Sequence, residues 1–387
     1  MGTDGLKILV TGAGGFIGRN LCAQLCNIRD GKARNYGLKV AKVYECHRDT
    51  PETELDRYCR DADFVVHLAG ANRPERESDF RDVNVGCTVK LIELLTKHGT
   101  RCPVVFASSS QAAVPDAESP YARSKREAEE MLMNYRREHG AKVYIYNLPN
   151  VYGKWSRPDY NSVVATFCHR ISRGMEIEVH DPAAMVNLVY IDDVVDEFIE
   201  VAKGLRSDGY CHGLRTEEIT VGELASLIRE FAAMREACEV PLLIPDSFVK
   251  KLYSTYLSYL PEEDLAYPLS AKSDARGSVI EMVRTVGGGQ FSVNVTKPGE
   301  ERGNHWHNTK AEKFLVVSGR GLITMREHGS GHTIEIPVNS ADLKVVEMIP
   351  GYTHSIRNLS DREDLVTVIW CNEVFDPNLP DTYSEKV

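Results

Sequence analysis

This 387-residue sequence has no stretch of about 18 apolar residues, the length a helix needs to cross a bilayer. Its first apolar run, LKILV at 6–10, is short and leads into a glycine loop rather than a secretory leader. No membrane span is expected, and the cytoplasm is the expected compartment. The ten cysteines include no CxxC pair and are scattered, as reduced thiols are, which argues against a disulfide frame. No basic stripe offsets the formal net charge of −10, so a dedicated nucleic-acid binder is not expected. Internal repeats and low-complexity tracts are absent too. What is present is the composition of a soluble globular protein, 42% hydrophobic and 26% charged. The length exceeds one ordinary core, so two domains are expected.

LKILV reads as a strand buried on both faces. TGAGGFIG follows at once, and NLCAQLCNIRD continues with helical spacing. Strand, glycine turn and helix form the context of a dinucleotide fingerprint. Gly12 permits the tight turn, Gly15 lets the backbone approach a pyrophosphate, and Gly18 lets the helix pack on the strand. The helix N-terminus offers free N–H groups to the phosphates. The second strand ends in Glu45-Cys46-His47-Arg48, where an adenine ribose is expected. An acid there favours NAD and a cation favours NADP. Both are present, and Arg48 tips the reading toward NADP because Glu45 falls within the strand pattern.

PVVFASSS is a further strand tipped by Ser108, Ser109 and Ser110, and SPYARSKREAEEMLMNYRREHG is a periodic helix. Tyr121 and Lys125 are four apart and share one helical face. A carbonyl receiving hydride needs a proton donor beside its oxygen. Tyr121 can donate if Lys125 lowers its pKa, and a serine hydroxyl can hold the oxygen in line. Strand register decides between Ser109 and Ser110, and Ser110 is the choice here.

TGAGGFIG, DFVVHLAG, Asn84, the serines, YxxxK, LPNVYG at 148–153 and VNLVYIDDVV at 186–195 together resemble the extended short-chain dehydrogenase/reductase family over residues 6–240. The resemblance implies a Rossmann-type doubly wound parallel sheet. It implies a cofactor cradle of Gly12, Gly15, Phe16, Ile17, Gly18, Arg48, Leu68, Ala69, Asn84, Tyr121 and Lys125. Asn84 and Asn150 would frame the active site, and the stretch after Tyr152 would hold a sugar nucleotide. Against the family, the loop between Ser110 and Tyr121 is short.

From Gly288 onward the pattern is short alternating strands. His305 and His307 at i and i+2 share a strand face, and Glu312 can reach back to it from the next strand. His354 is a fourth candidate, and three imidazoles with a carboxylate suit a divalent ion such as zinc. The spacing G-x5-HxH-x4-E-x6-G followed by PG-x2-H-x3-N resembles the two motifs of the cupin barrels. Where the second motif often opens on glycine, Ser340-Ala341-Asp342-Leu343 stands here. Before the barrel, Tyr253, Tyr256 and Tyr259 recur every three residues and read as packing groups rather than ligand contacts.

With KKLYSTYLSYLP, GNHWHNTKAEKFLVVSG and WCNEVFDPNLPDTY, nearly the whole chain resembles the bifunctional capsular polysaccharide synthesis enzymes of the CapF family and their O-antigen counterparts. The resemblance implies a reductase domain at 1–246, a cupin epimerase domain at 247–387 and a homodimer. It implies a UDP-linked 2-acetamido-2,6-dideoxy-4-hexulose, epimerised at carbon 3 by the cupin and reduced at carbon 4 with NADPH. Lys313, Tyr352 and the three tyrosines are candidates for the epimerising base. The alternatives are a reductase with a structural or sugar-sensing cupin, and a dTDP-rhamnose-type reductase.

Overall fold

The computed structural model describes residues 5–72, 76, 80–115, 119–285 and 287–387. The loops expected at 71–78 and between Ser110 and Tyr121 fall partly outside these residues. The chain divides into two units, Met1–Ile228 with Ser254–Leu260, and Arg229–Tyr253 with Pro261–Val387. The boundary expected at 246–247 falls inside the first piece of the second unit.

In the first unit LKILV lies in β1 (Leu6–Thr11), followed by α1 (Phe16–Arg29), β2 (Val40–Cys46), α2 (Glu52–Asp61) and β3 (Phe64–His67). A π-helical turn at Arg81–Val85 leads into α3 (Gly86–Lys97), β4 (Val104–Ser109), α4 (Pro120–His139) and β5 (Val143–Leu148). Then come β6 (Asn150–Tyr152), α5 (Val163–Ile171), β7 (Met185–Tyr190), α6 (Ile191–Ala202), β8 (Gly209–Cys211) and β9 (Glu217–Thr220). Among the described residues the main sheet runs β2-β1-β3-β4-β5-β8, with every pairing parallel.

Alternation along β1 explains its unbroken apolar run. Ile8 and Val10 pack with Leu21 and Leu25 of α1 and Val194 and Phe198 of α6. Leu9 faces the other way, with Leu91 and Leu95 of α3 and Leu132 of α4. Helices cover both faces, so the strands have no polar side. This is the expected doubly wound arrangement. Its strand order reverses between β1 and β3, and ligands bind at the carboxyl ends of strands at such a switch point. The helix that carries Tyr121 has sharp ends. Ser119 caps it by accepting from Ala122 N at 3.1 Å, Pro120 opens it, and Gly140 ends it at φ 66°.

Both α7 (Val221–Glu236) and α8 (Phe248–Leu257) contribute residues to each unit. Tyr253, Tyr256 and Tyr259 are buried, as expected of packing groups.

The second unit is strand-rich. β10 (Glu239–Val240), β11 (Ala271–Asp274), β12 (Gly277–Thr285), β13 (Gly289–Thr296) and β14 (Glu301–Trp306) come first. β15 (Glu312–Ser318), β16 (Arg320–Glu327), β17 (Thr333–Asn339) and β18 (Val345–Met348) follow, then β19 (Tyr352–Asn358), β20 (Leu365–Cys371) and β21 (Tyr383–Ser384). One sheet runs β10-β12-β13-β20-β15-β18 and the other β17-β16-β19-β14-β21. Phe314, Val316 and Ile369 from the first meet Ile323, Met325 and Ile356 from the second in one core. This matches the expected barrel. Its missing glycine has a substitute: Asn339 Oδ1 accepts from Ala341 N and Asp342 N at 2.9 Å, closing the turn with a side chain.

A β-bulge shapes β14. Its register against β19 shifts between Gly303 and His305, with Asn304 at φ 60°. Gly303 has φ 98°, and a Cβ there would meet His354 O at 2.7 Å and Ser355 Cα at 2.9 Å. No side chain fits that approach. Gly303→Ala is expected to destabilise the second unit by about 1–3 kcal/mol, read as a lowered melting temperature.

Candidate functional site

At the end of β1, Gly12 adopts φ 69°, and a Cβ there would meet Ala69 N at 2.7 Å. A Cβ on Gly18 would lie 2.3 Å from Gly12 O, so α1 packs against the loop at a distance only glycine allows. Gly15 is the N-cap of α1, with no side-chain cap, and the first turn carries no acidic residue. Phe16 and Ile17 are half-buried. The helix N-terminus can therefore accept an anion. Glu45 lies within β2, and Arg48 is exposed beyond it, next to His47, whose Nδ1 would be 3.1 Å from a Cβ on Gly14.

A buried hydrogen-bond chain braces this crevice. Thr11 Oγ1 accepts from Leu68 N and Ala69 N at 3.2 Å, so its own proton points at His67 Nδ1, 2.7 Å away. Nε2 then carries the ring proton and donates to Thr88 Oγ1 at 3.0 Å, which donates to Asn84 O at 2.8 Å. Burial, with Lys125 nearby, lowers the His67 pKa to about 3, so the ring is neutral. Asn84 sits in the π-helical turn and is fully engaged. It accepts from Ala71 N at 2.7 Å and donates to Ala71 O and to Ser124 Oγ, at 3.1 and 2.9 Å. No local pattern signals the Thr11, His67 and Thr88 chain, because its members lie 56 and 21 residues apart.

Lys125 is buried, with Nζ donating to Ala107 O at 2.9 Å and lying 4.8 Å from the centre of the Phe106 ring. Burial lowers its pKa to about 8, and Glu129 opposes the shift. Glu129 itself accepts from Ser108 Oγ, from Asn147 Nδ2 at 2.8 Å and from Tyr210 OH at 3.0 Å. Tyr121 has a pKa raised by burial, against which a hydrogen bond with Ser109 acts. Of the two serines weighed, Ser109 is the one beside Tyr121. Ser109, the last residue of β4, is buried and bonded to Tyr121, whereas Ser110 is exposed and uses its N–H on Leu148 O. Ser108, one residue earlier in the strand, donates instead to Glu129. Asn150 is exposed and donates to Asn187 O at 3.2 Å.

In the second unit the bulge brings His305 beside His354, with ring centroids 4.7 Å apart, and His307 lies 4.9 Å from His305. One donor atom each from His305, His307, Glu312 and His354 lies within 4.8 Å of the others. Glu312 Oε2 is 3.2 Å from His354 Nε2 and 3.7 Å from His307 Nε2. Neither nitrogen is aligned for a hydrogen bond, and both are buried without a partner. Their Nδ1 atoms are occupied instead. His307 Nδ1 bonds Asp381 O, and His354 Nδ1 lies 3.4 Å from Tyr352 O. Two buried nitrogens aimed at a buried carboxylate fit a divalent ion that shares them. Burial, then His354, lowers the His305 pKa to about 4, leaving a neutral imidazole suited to ligation.

The other carboxylate oxygen is held separately. Lys310 Nζ is 3.0 Å from Glu312 Oε1, and Cys371 Sγ donates to it at 3.3 Å. Burial pushes Glu312 up, but His307, His354 and Lys310 together hold it well below the usual carboxylate range. Lys313 does not reach this site. It is exposed and pairs with Glu347 on the far side of β15. Lys310, two residues before Glu312, is the lysine that does.

Residues 8–209 match the NAD dependent epimerase/dehydratase family, and residues 272–383 match the polysaccharide biosynthesis C-terminal domain. The chain is 42% identical to a UDP-2-acetamido-2,6-beta-L-arabino-hexul-4-ose reductase of Pseudomonas aeruginosa, over 99% of both chains. It is 43% identical to the capsular polysaccharide assembling protein CapF of Staphylococcus aureus, with a TM-score of 0.86 over 98% of this chain and 100% of that one. The UDP-glucose 4-epimerase of Thermus thermophilus, 22% identical with a TM-score of 0.52, shares the fold over 66% of this chain and 99% of its own. The first unit's switch-point crevice, the second unit's strand-rich core and the full-length similarity lead to one conclusion: the chain belongs to the NAD dependent epimerase/dehydratase family and, within it, to the CapF group of capsular polysaccharide proteins.

Proposed function

We propose that this chain is a bifunctional nucleotide-sugar enzyme of capsular polysaccharide or O-antigen precursor synthesis. The substrate is a UDP-linked 2-acetamido-2,6-dideoxy-4-hexulose. The cupin domain, 247–387, epimerises carbon 3, and the reductase domain, 1–246, reduces the 4-keto group with NADPH. The product is a UDP-2-acetamido-2,6-dideoxy-L-talose, a precursor of N-acetyl-L-fucosamine. A cytoplasmic homodimer is part of this reading. Among the described residues no helix is long and apolar enough to cross a membrane. The observation that carries the proposal is the Tyr121–Ser109 contact, one helical turn from the buried Lys125, in a chain related along its whole length to a 4-ketose reductase.

In the reductase, a nicotinamide cofactor held at the Gly12–Gly18 loop would supply hydride to carbon 4, and Tyr121 Oη is placed to give a proton to the oxygen of that carbon. Lys125, fixed on Ala107 O one helical turn from Tyr121, would favour the phenolate left behind through its positive charge. Ser109 holds the oxygens of substrate and tyrosine in line. Arg48, exposed at the end of β2, supports the preference for a 2′-phosphate. In the cupin, the proton on carbon 3 is acidic because a keto group adjoins it. A divalent ion, zinc in this reading, held by His305, His307, Glu312 and His354 would supply Lewis acidity there. Lys310 and Cys371 keep Glu312 Oε1 turned away from the imidazoles.

The deciding experiment is proton NMR of the 4-keto sugar nucleotide in deuterated water without nicotinamide. Loss of the carbon 3 proton signal is expected, abolished by His305→Ala and retained by Tyr121→Phe. Exchange that requires NADPH would instead leave a reductase with a structural cupin. Ser109→Ala is expected to lower kcat for reduction by about 100-fold, as loss of one oxyanion donor does, with Ser110→Ala near wild type. Steady-state rates of the two variants check this. The lysine is charged below its pKa of about 8, so kcat for reduction is expected to fall as pH rises through that value. A flat alkaline profile would argue against the role given to Lys125.

A further inference from the structure

The segment from Asp381 to Val387 packs along β14, the strand that carries His305. β21 pairs with it at His305 and Trp306, and Glu385 N and Val387 N donate to Asn304, at 3.0 and 3.1 Å. Trp306 stacks between His328 and Tyr383, each ring centre 4.7 Å away. Glu385 anchors the far end, accepting from Arg326 at 3.2 Å and from Thr353, and lying 3.1 Å from His328 Nδ1.

Asp381 stands at the other end and touches the candidate metal centre twice. Its main-chain carbonyl accepts from His307 Nδ1. Its carboxylate accepts from three consecutive backbone N–H groups, Asn308 at 2.9 Å, Thr309 at 2.7 Å and Lys310 at 3.0 Å. Those residues are the link between His307 and Glu312. Burial alone would raise the Asp381 pKa, but the three N–H groups hold it far below the usual carboxylate range.

We infer that Asp381 is a positioning residue for the metal centre: its carbonyl sets the tautomer and tilt of His307, and its carboxylate fixes the His307–Glu312 link. A proton held on Nδ1 leaves the Nε2 lone pair directed at Glu312, as a ligating histidine requires. The anion nest at 308–310 sets where Lys310 and Glu312 begin. Nothing local in the sequence binds these parts, because Asp381 lies 74 residues from His307. The inference rests on the metal reading given above, and its test separates the two.

The test titrates full-length protein with Zn2+ against a chromogenic chelator, for wild type, Asp381→Asn and Glu385→Gln. Asparagine keeps the main-chain carbonyl but must turn an N–H toward the nest. Asp381→Asn is expected to weaken zinc binding by about 10- to 100-fold, the range of lost outer contacts at metal sites. Glu385→Gln is expected to bind zinc about as tightly as wild type. Equal weakening by both would assign the effect to docking of the whole segment and overturn the role of Asp381. Wild-type affinity in a folded Asp381→Asn would overturn it as well. A second measurement is independent of metal. Long-range proton–nitrogen NMR of metal-free wild type should show His307 protonated on Nδ1, and an Nε2–H ring would overturn the contact. Failure of wild type to bind zinc would sink the metal reading itself, and the tautomer would still decide the Asp381–His307 contact.

Discussion

A charge taken out of water must be held by fixed partners, and both candidate sites are built around that requirement. Lys125 is 6% exposed and Glu312 is 6% exposed. Neither could remain ionised in an apolar pocket unaided. The lysine has the Ala107 carbonyl, the face of Phe106 and the nearby carboxylate of Glu129. The glutamate has Lys310 and Cys371 on one oxygen, and its other oxygen faces the two imidazoles across the place a divalent ion would fill. Those partners are polar groups that must themselves be satisfied, so each charge organises a wider shell. Glu129 draws in Ser108, Asn147 and Tyr210, which ties the ends of β4, β5 and β8 together. The rigidity of the sites follows from the cost of leaving any one of these groups unpaired.

What could be read from the sequence was whatever is local. The glycine loop, the four-residue spacing of Tyr121 and Lys125, and the HxH pair each depend on a few neighbouring residues and on the period of one element. The doubly wound sheet followed by a barrel was legible for the same reason, since runs of buried strands and alternating strands differ in pattern. The serine was not legible. SSS offers three hydroxyls, and which one meets Tyr121 depends on how β4 packs against the helix that carries the tyrosine. Lys310 and Lys313 posed the same problem. The lysine inside β15 faces away from Glu312, and the one on the loop before it folds back.

Contacts that join distant segments were invisible altogether. Thr11 and His67 are 56 residues apart, and Cys371 and Glu312 are 59 apart. No periodicity links such pairs. The bulge at Asn304 belongs to the same class, because it exists only relative to β19. The absent glycine at 340–343 shows the converse. A departure from a family pattern need not change the fold when an asparagine side chain can close the turn in its place.

Two enzymes joined end to end would be linked by one strand of chain, but here the chain passes from one unit to the other at 228–229, 253–254 and 260–261. Ser254–Leu260 is therefore a piece of the first unit carried on the sequence of the second. Within it, the Tyr259 hydroxyl donates to Ser156 O at 2.6 Å, and Ser172 Oγ donates to Tyr259 O at 3.0 Å. A recombination event that exchanged everything after residue 246 would remove these partners and strip Tyr256 and Tyr259 from the core they fill. The two halves are thus not free to be reshuffled among relatives as cassettes.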